Sequence, residues 1–211
     1  RREAAAVRRE LDRLLRNWDV GAGQEPSPRL DSRALVREIA ARSVRLSRCR
    51  REEQERALAL ILCDVSGSCS AVAPATLAAC LAIAEARDDV VIVEHSNGWP
   101  EALYGATVRV PATATSTGDD CRHPWWDAVL RLRLSGVVAL GDWDAGDVYQ
   151  QIAALAPLVW LDSYAAKHGP RPASRILRTQ AAGWARQPLS WWQGVSDARS
   201  CALALRAVKV T

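Results

Sequence analysis

The sequence predicts an α/β fold: a doubly wound, mostly parallel sheet with helices on both faces and one antiparallel edge strand. Short, unbroken apolar runs recur along the chain at 57–63, 89–93, 136–141 and 157–161. Apolar runs of this length without alternation are typical of strands that are buried on both faces. The segments between the first and second runs and between the third and fourth carry helical patterns, and this alternation indicates a parallel sheet.

Composition narrows the class of protein. The chain has 211 residues, of which 49% are hydrophobic and 25% charged, as in ordinary soluble proteins. No apolar run approaches the ~20 residues needed to span a bilayer, so we expect no membrane association. None of the six cysteines forms a C-x-x-C pair, which argues against a structural zinc site. We expect a reduced, cytoplasmic protein.

The N-terminal region is predicted to lie outside the main domain. An amphipathic helix over 1–18 and a Gly/Pro-rich linker at 20–28 make up segment 1–28, and the main domain follows at 29–211. We favour a helix that packs on this domain, and a basic arm for another chain is the alternative. A second helix is predicted over 32–46. The mixed Arg/Glu run after it is typical of a solvated surface, and a patch for an acidic partner or nucleic acid is the alternative.

The main domain is expected to have a core at about 56–165 and a helical C-terminal segment at 170–211. An apolar helix over 71–86 joins the first two strands in a βαβ unit, which implies parallel pairing and a right-handed crossover. The other predicted elements are a turn at 95–98, the edge strand at 106–110, and helices at 124–132, 147–155 and 197–208, the last capped by Ser196.

Polar residues follow directly on the first predicted strand, in the stretch Asp64-Val-Ser-Gly-Ser68. Asp64, Ser66 and Ser68 offer only oxygen atoms, which hard cations such as Mg²⁺ prefer. Asp142 ends the third apolar run, and ligands in open α/β sheets bind where parallel strands end. We therefore expect Asp64 and Asp142 to face one crevice. The alternative is a strand end followed by an ordinary helix cap.

The stretch DVSGS resembles the metal-ion-dependent adhesion site of von Willebrand factor A (vWA) domains, which have a Rossmann-like fold. The segment RLDSRALVREIAARSVRLSRCRREEQERALALILCDVSGS is similar to one subgroup, the CoxE-like proteins, which work beside MoxR-type AAA+ ATPases. VVALGDWDAGD is similar to the strand-four Ser-Asp-Gly-Trp-Asp of that subgroup, with Gly141 in place of Ser and Trp143 in place of Gly. The resemblance covers roughly residues 29–165.

The resemblance implies a set of metal ligands. Ser66 and Ser68 would bind Mg²⁺ directly, with Mn²⁺ or Ca²⁺ as alternative ions, and one or both of Asp64 and Asp142 would act through water. A threonine from a third loop is the usual further ligand, and we assign Thr117. The alternatives in or just after this loop are Thr113, Thr115, Asp119, Asp120 and His123. Gly67, Trp143 and Asp144 are assigned to the binding surface around the ion.

The resemblance also implies a function. In vWA domains one coordination position stays open for a carboxylate from a partner protein, which implies a non-catalytic adaptor, with a MoxR-type AAA+ ATPase as one partner. RNA binding by Arg interleaved with Trp184, Trp191 and Trp192 is an alternative, although packing of these rings is favoured. A metal-dependent phosphohydrolase is less favoured, because the three histidines lie in predicted loops and no Walker-type loop is present. A vestigial metal site is the remaining alternative.

Overall fold

The structure is a computed structural model that describes residues 2–18, 24–30, 36, 40, 50–54, 58–105, 123–142, 146–164 and 189–208. The chain divides into two compact units. The larger combines Arg1–Asp19 with Leu58–Thr211, and the smaller is Val20–Ala57. The division differs from the expected boundary after residue 28, because the N-terminal helix belongs to the larger unit.

In the smaller unit, β1 (Gln24–Leu30) pairs with β2 (Arg50–Gln54). The strands of the larger unit are β3 (Leu58–Asp64), β4 (Val90–Ser96), β5 (Trp99–Gly105), β6 (Leu134–Gly141), β7 (Leu158–Asp162) and β8 (Leu189–Trp192). Its helices are α1 (Arg2–Trp18), α2 (Ala73–Ala84), α3 (Pro124–Leu130), α4 (Gly146–Ala153) and α5 (Ala198–Ala207). None of the described helices is both long enough and apolar enough to cross a membrane.

The described strands of the larger unit form one sheet in the order β5-β4-β3-β6-β7-β8. All neighbours are parallel except β4 and β5, which are antiparallel. The predicted α/β class and mostly parallel sheet are therefore confirmed. Along the chain, β4 is added on one side of β3, whereas β7 and β8 are added on the far side of β6. β3 and β6 are adjacent in the sheet although β4 and β5 lie between them in the chain, and a crevice is expected at the carboxyl ends of two such strands.

The antiparallel edge strand lies earlier in the chain than predicted. It is Trp99–Gly105, whereas the strand expected at 106–110 lies outside the described residues. β4 and β5 form a hairpin in which Ser96 pairs with Trp99, so the turn consists of Asn97 and Gly98. Both have positive φ, 51° and 89°. Asn-Gly favours this two-residue turn because both residue types adopt left-handed backbone at low cost.

The C-terminal segment differs from the helical prediction because it supplies a strand, β8, which pairs in parallel with β7. The last helix is present, but its N-cap is Asp197 instead of Ser196. The Asp197 carboxylate accepts a hydrogen bond from the Ser200 amide at 2.7 Å, and the Ser200 hydroxyl accepts one from the Asp197 amide at 3.0 Å. These reciprocal bonds form a capping box, which satisfies amides that a helix terminus leaves unpaired.

Apolar side chains cover both faces of the sheet, because successive residues of a strand point in opposite directions. Ile61 and Ile92 belong to a cluster with apolar residues of α1, α2 and α5. Leu60 and Leu62 belong to a second cluster with Trp126 of α3 and residues of α4. The helices thus pack on both faces, and the carboxyl ends of the strands lie at the edge between these two layers.

Helix α1 packs within the larger unit, which confirms the interpretation that it is a packed amphipathic helix. Leu11, Leu14 and Leu15 are almost fully buried. Arg13 Nη2 donates to the Leu205 carbonyl oxygen of α5 at 2.8 Å. At the C-terminal end of α1 the Trp18 ring lies so close to Gly136 that a Cβ there would be 2.5 Å from a ring carbon.

The smaller unit contains an antiparallel ladder, in which Gln24 pairs with Gln54 and Leu30 with Arg50. The prediction of a linker over 20–28 is therefore wrong from Gln24 onward. Pro26 lies in the strand, which is tolerated because both strands of this pair have an open edge. The helix predicted over 32–46 lies outside the described residues except at Val36 and Ala40, where the backbone is helical.

Candidate metal centre

Two carboxylates end the two central strands. Asp64 is the last residue of β3, and Asp142 directly follows β6. Both are 1% exposed. One ligand atom of each, together with Cys69 Sγ, lies within 4.8 Å of the others. The structure thus brings the two predicted carboxylates together at the ends of adjacent strands, and adds a thiol.

The Asp64 carboxylate is only partly satisfied. Its Oδ1 accepts a hydrogen bond from the Ser66 amide at 2.8 Å. Its Oδ2 is buried and has no hydrogen-bond partner among the described residues. Burial raises the pKa of Asp64; hydrogen bonds from Ser66 oppose this rise, and the negative charge of Asp142 adds to it. An unpartnered buried carboxylate oxygen is costly, and a cation is one group that would satisfy it.

The two predicted serine ligands lie beside each other. The hydroxyl oxygens of Ser66 and Ser68 are 3.0 Å apart and hydrogen-bonded. Ser66 is 6% exposed, and its carbonyl oxygen accepts a hydrogen bond from the Cys69 amide at 2.9 Å, which closes the turn. Gly67 is exposed, and nothing lies within 4 Å of a Cβ built on it. The turn therefore places two hydroxyls on either side of Gly67, which has free space around it.

Gly141 allows the close approach of the groups around Asp64. A Cβ at this position would lie 2.6 Å from Asp64 Cβ, 2.6 Å from the Tyr149 hydroxyl and 3.2 Å from Asp64 Oδ2. A side chain here would collide with these groups, because Tyr149 reaches from α4 into the space that it would need.

Cys69 was not predicted to take part in the site. Its Sγ lies 3.2 Å from Ser163 Oγ and 3.9 Å from Ser68 Oγ. Burial raises the pKa of this thiol, and the negative charge of Asp64 raises it further. Its position directly after the serine turn was a usable signal, but a cysteine in an apolar α/β core is ordinarily interpreted as a small hydrophobe.

Two further buried polar groups lie near the carboxylates. His95 Nδ1 accepts a hydrogen bond from the Gly98 amide at 3.2 Å, whereas Nε2 has no partner among the described residues. Burial lowers the pKa of His95 to about 4, so the ring is neutral near pH 7. The Tyr149 hydroxyl is also buried and unpartnered within the described part of the chain. No local pattern predicts Tyr149, because its approach depends on how α4 packs.

The remaining predicted residues fall into two groups. The first group lies outside the described residues. It consists of Trp143, Asp144 and the third-loop candidates Thr113, Thr115, Thr117, Asp119 and Asp120. His123 is described and caps α3, where its Nδ1 accepts a hydrogen bond from the Trp125 amide at 3.2 Å. Its ring packs edge-on against Trp99, with centroids 4.6 Å apart. This capping role explains the position of the His123 ring without a bound metal.

The donor set fits a divalent cation. Two carboxylates and two hydroxyls supply the hard oxygen ligands that Mg²⁺ and Ca²⁺ prefer, and the unpartnered Asp64 Oδ2 lacks the group that a cation would provide. A bound cation would also reverse the effect of burial on the Asp64 pKa, because it stabilises the ionised carboxylate. No protein-family model, curated protein or solved structure matches this chain.

Proposed function

We propose that the chain is a vWA-type module with a doubly wound, Rossmann-like sheet, which binds a partner protein through a divalent cation. Asp64, Ser66, Ser68 and Asp142 hold Mg²⁺, or Mn²⁺ or Ca²⁺ in its place, and Thr117 is the proposed further ligand. The partner presents a Glu or Asp carboxylate to the open coordination position. The module acts in the cytoplasm as a non-catalytic adaptor, with a MoxR-type AAA+ ATPase as candidate partner.

One observation carries this proposal: ligand atoms of Asp64 and Asp142 converge within 4.8 Å at the ends of adjacent strands, and Asp64 Oδ2 is left without a partner. Charged groups are rarely buried unless they are paired or bind a metal. Two buried carboxylates this close repel each other, and a divalent cation between them removes the repulsion. The same ion would accept a third carboxylate from outside, which couples metal binding to partner binding.

The surroundings of the site support a binding role over catalysis. A hydrolase needs a general base that reaches the reacting water. His95 is fully buried and is held through Nδ1 by the Gly98 amide, and His123 is occupied as a helix cap. Neither histidine is placed as an accessible base.

The packing of Trp191 favours its structural role over RNA binding. Its ring stacks on Trp160 with centroids 4.8 Å apart and an interplanar angle of 4°. Its Nε1 donates to Asp162 Oδ2 at 3.2 Å. A ring that already stacks on an internal partner has one face fewer to offer to a base.

The test compares thermal stability with and without Mg²⁺ in the wild type and in Ser66→Ala/Ser68→Ala. A ligand that binds only the folded state stabilises it by ~2.7 kcal/mol at a hundredfold excess over its dissociation constant. We expect Mg²⁺ to raise the Tm of the wild type and not that of the double variant. Ser200→Ala is the matched control, because it removes a hydroxyl from the α5 cap, outside the candidate site, and should keep the response to Mg²⁺.

A wild type that gains no stability from Mg²⁺, Mn²⁺ or Ca²⁺, alone or with an added acidic peptide, contradicts the metal-dependent function. A response that survives in the double variant contradicts the assignment of the two serines. Binding of RNA that weakens with rising salt and ignores a chelator would instead favour the nucleic-acid alternative.

A further inference from the structure

The described cysteines occupy two different environments. Cys63, Cys80 and Cys201 are fully buried, and the last two belong to the apolar cluster beneath α1, α2 and α5. Cys69 is also buried, at 1% exposure, but it belongs to neither apolar cluster. Cys63 contacts the Thr76 hydroxyl at 3.7 Å, whereas Cys69 lies beside two serine hydroxyls and lines a small cavity that Asp64 also lines. Burial as a small hydrophobe explains Cys80 and Cys201 and does not account for the polar neighbours of Cys69.

The polar contacts of Cys69 come from both sides of the crevice. Ser163, just after β7, places its hydroxyl 3.2 Å from the sulfur, and Ser68 places its hydroxyl 3.9 Å away. Hydroxyls at these positions can donate to a thiolate and would stabilise its charge. A small cavity of about 10 Å³ is lined by Cys69 and Asp64, together with Gly141 and Ser163. The sulfur and the carboxylate therefore share an internal space.

The separations suit a metal ion with a thiolate ligand. Zinc–sulfur bonds are about 2.3 Å and zinc–oxygen bonds about 2.0–2.2 Å, so ligand atoms in a tetrahedral site lie roughly 3.4–3.7 Å apart. The three ligand atoms of Asp64, Cys69 and Asp142 already lie within 4.8 Å of one another. The side chains would have to move closer together to bind an ion in this geometry. A second observation points to a ligand here, since Asp64 Oδ2 is buried without a partner among the described residues.

We propose that Cys69 is a direct metal ligand and that, with Asp64 and Asp142, it allows this centre to bind Zn²⁺-class ions as well as Mg²⁺. Thiolates favour zinc and related ions, whereas sites of carboxylates, hydroxyls and water suit magnesium. On binding, the thiol loses its proton to solvent and the sulfur donates an electron pair to the ion. Three protein ligands leave the fourth position of a tetrahedral ion open, as in sites that bind an exogenous ligand.

The proposal rests on the metal site of the proposed function and adds Zn²⁺-class ions to those that the site binds. It also assigns different roles to the two carboxylates, the two serine hydroxyls and the Cys69 thiol. Asp64 and Asp142 serve either ion, the serine hydroxyls are needed for octahedral Mg²⁺, and Cys69 is needed for the softer ion. Variants at Cys69 and at the serines should therefore alter the responses to different metals.

The test uses the full chain carrying Cys49→Ser and Cys121→Ser, which removes two thiols outside the described residues. Cd²⁺ serves as the spectroscopic probe, because cadmium bound to a thiolate gives a sulfur-to-metal charge-transfer absorption in the ultraviolet. We expect one equivalent of Cd²⁺ to give this band in the host chain and no band after Cys69→Ser. Zn²⁺ affinity, measured by competition, should fall by roughly tenfold or more, a loss of at least about 1.4 kcal/mol.

Ser200→Ala is the matched control, because it removes a hydroxyl from the α5 cap and keeps every residue of the site, so the band should remain. Far-ultraviolet circular dichroism establishes that each variant is folded. A band of equal strength in the Cys69→Ser chain, or no band in the host chain, overturns the proposal. The change of Tm with Mg²⁺ is measured on the same proteins. It distinguishes a failure of the proposed function from a failure of Cys69 as a metal ligand. A Tm rise with Mg²⁺ and no cadmium band leaves the proposed function standing, whereas a band without a Mg²⁺ response leaves only the thiolate site.

Discussion

Asp64 and Asp162 occupy equivalent places in the sheet and are satisfied differently. Each is the last residue of a parallel strand, and each is 1% exposed. Asp162 accepts hydrogen bonds from the Tyr164 amide at Oδ1, 3.0 Å, and from Trp191 Nε1 at Oδ2, 3.2 Å. Among the described residues, Asp64 has a donor at Oδ1 only. A carboxylate at a strand end is thus a structural anchor when the protein supplies its donors, and a candidate ligand when one oxygen lacks a donor.

The largest expected loss of stability follows substitution of Gly141, which leaves room for the close approach of Asp64 and Tyr149. Gly141→Val places side-chain atoms where a Cβ alone would be 2.6 Å from Asp64 Cβ and from the Tyr149 hydroxyl. We expect a loss of roughly 3 kcal/mol in the free energy of unfolding, measured by urea denaturation, because overpacking forces neighbouring groups to shift.

Gly67→Ala is the control for that variant, since a Cβ at Gly67 meets nothing within 4 Å. Its stability should stay within ~0.5 kcal/mol of the wild type, as for most surface substitutions. Equal stability of the two variants would show that the close approach at Gly141 is wrong.

The next effect concerns the anchored carboxylate. Asp162→Asn replaces one oxygen by an amide group, so either the Tyr164 amide or Trp191 Nε1 faces a donor instead of an acceptor. Loss of a hydrogen bond to a charged, buried group predicts destabilisation by roughly 2 kcal/mol in denaturant unfolding. Trp191 fluorescence should change as well, because the ring loses its polar partner.

In the absence of metal, Asp64→Asn should not destabilise the protein, in contrast to Asp162→Asn. The substitution keeps an oxygen for the Ser66 amide and removes a buried charge beside Asp142. We expect unchanged or higher stability in chelator and a loss of the metal response in the same thermal assay. If Asp64→Asn and Asp162→Asn were equally destabilising, the contrast between anchor and ligand would be invalid.

The smallest effect is expected at an exposed carboxylate, Asp197. Hydrogen bonds from the Ser200 amide and hydroxyl lower its pKa. The cap therefore contributes its full stability above the ordinary aspartate range and loses it as pH falls through the lowered pKa. Asp197→Asn caps almost as well, so stability near pH 7 should change by less than ~0.5 kcal/mol. Tm measured against pH should show a shallower acid decline for the variant, and identical curves would contradict the cap assignment.

Local sequence patterns predicted much of the sheet. The apolar runs that became β3, β4, β6 and β7 are short and unbroken, and burial on both faces requires this composition. The edge hairpin was also encoded locally, by Asn97-Gly98, although the strand was placed some residues too late. Strand β8 was missed because Leu189–Trp192 is short and carries no alternation that separates it from packed aromatic residues.

The sequence by itself determined that Asp64 and Asp142 each follow a buried apolar run at a strand end, because strand ends and turn residues are set by nearby side chains. Only the tertiary structure decided which polar atoms of the site find partners. Cys69 contacts Ser163, which follows β7, and Tyr149 of α4 reaches the space next to Gly141. These contacts join residues far apart in the chain. Whether a buried oxygen is satisfied therefore depends on how whole layers pack, which no local pattern records.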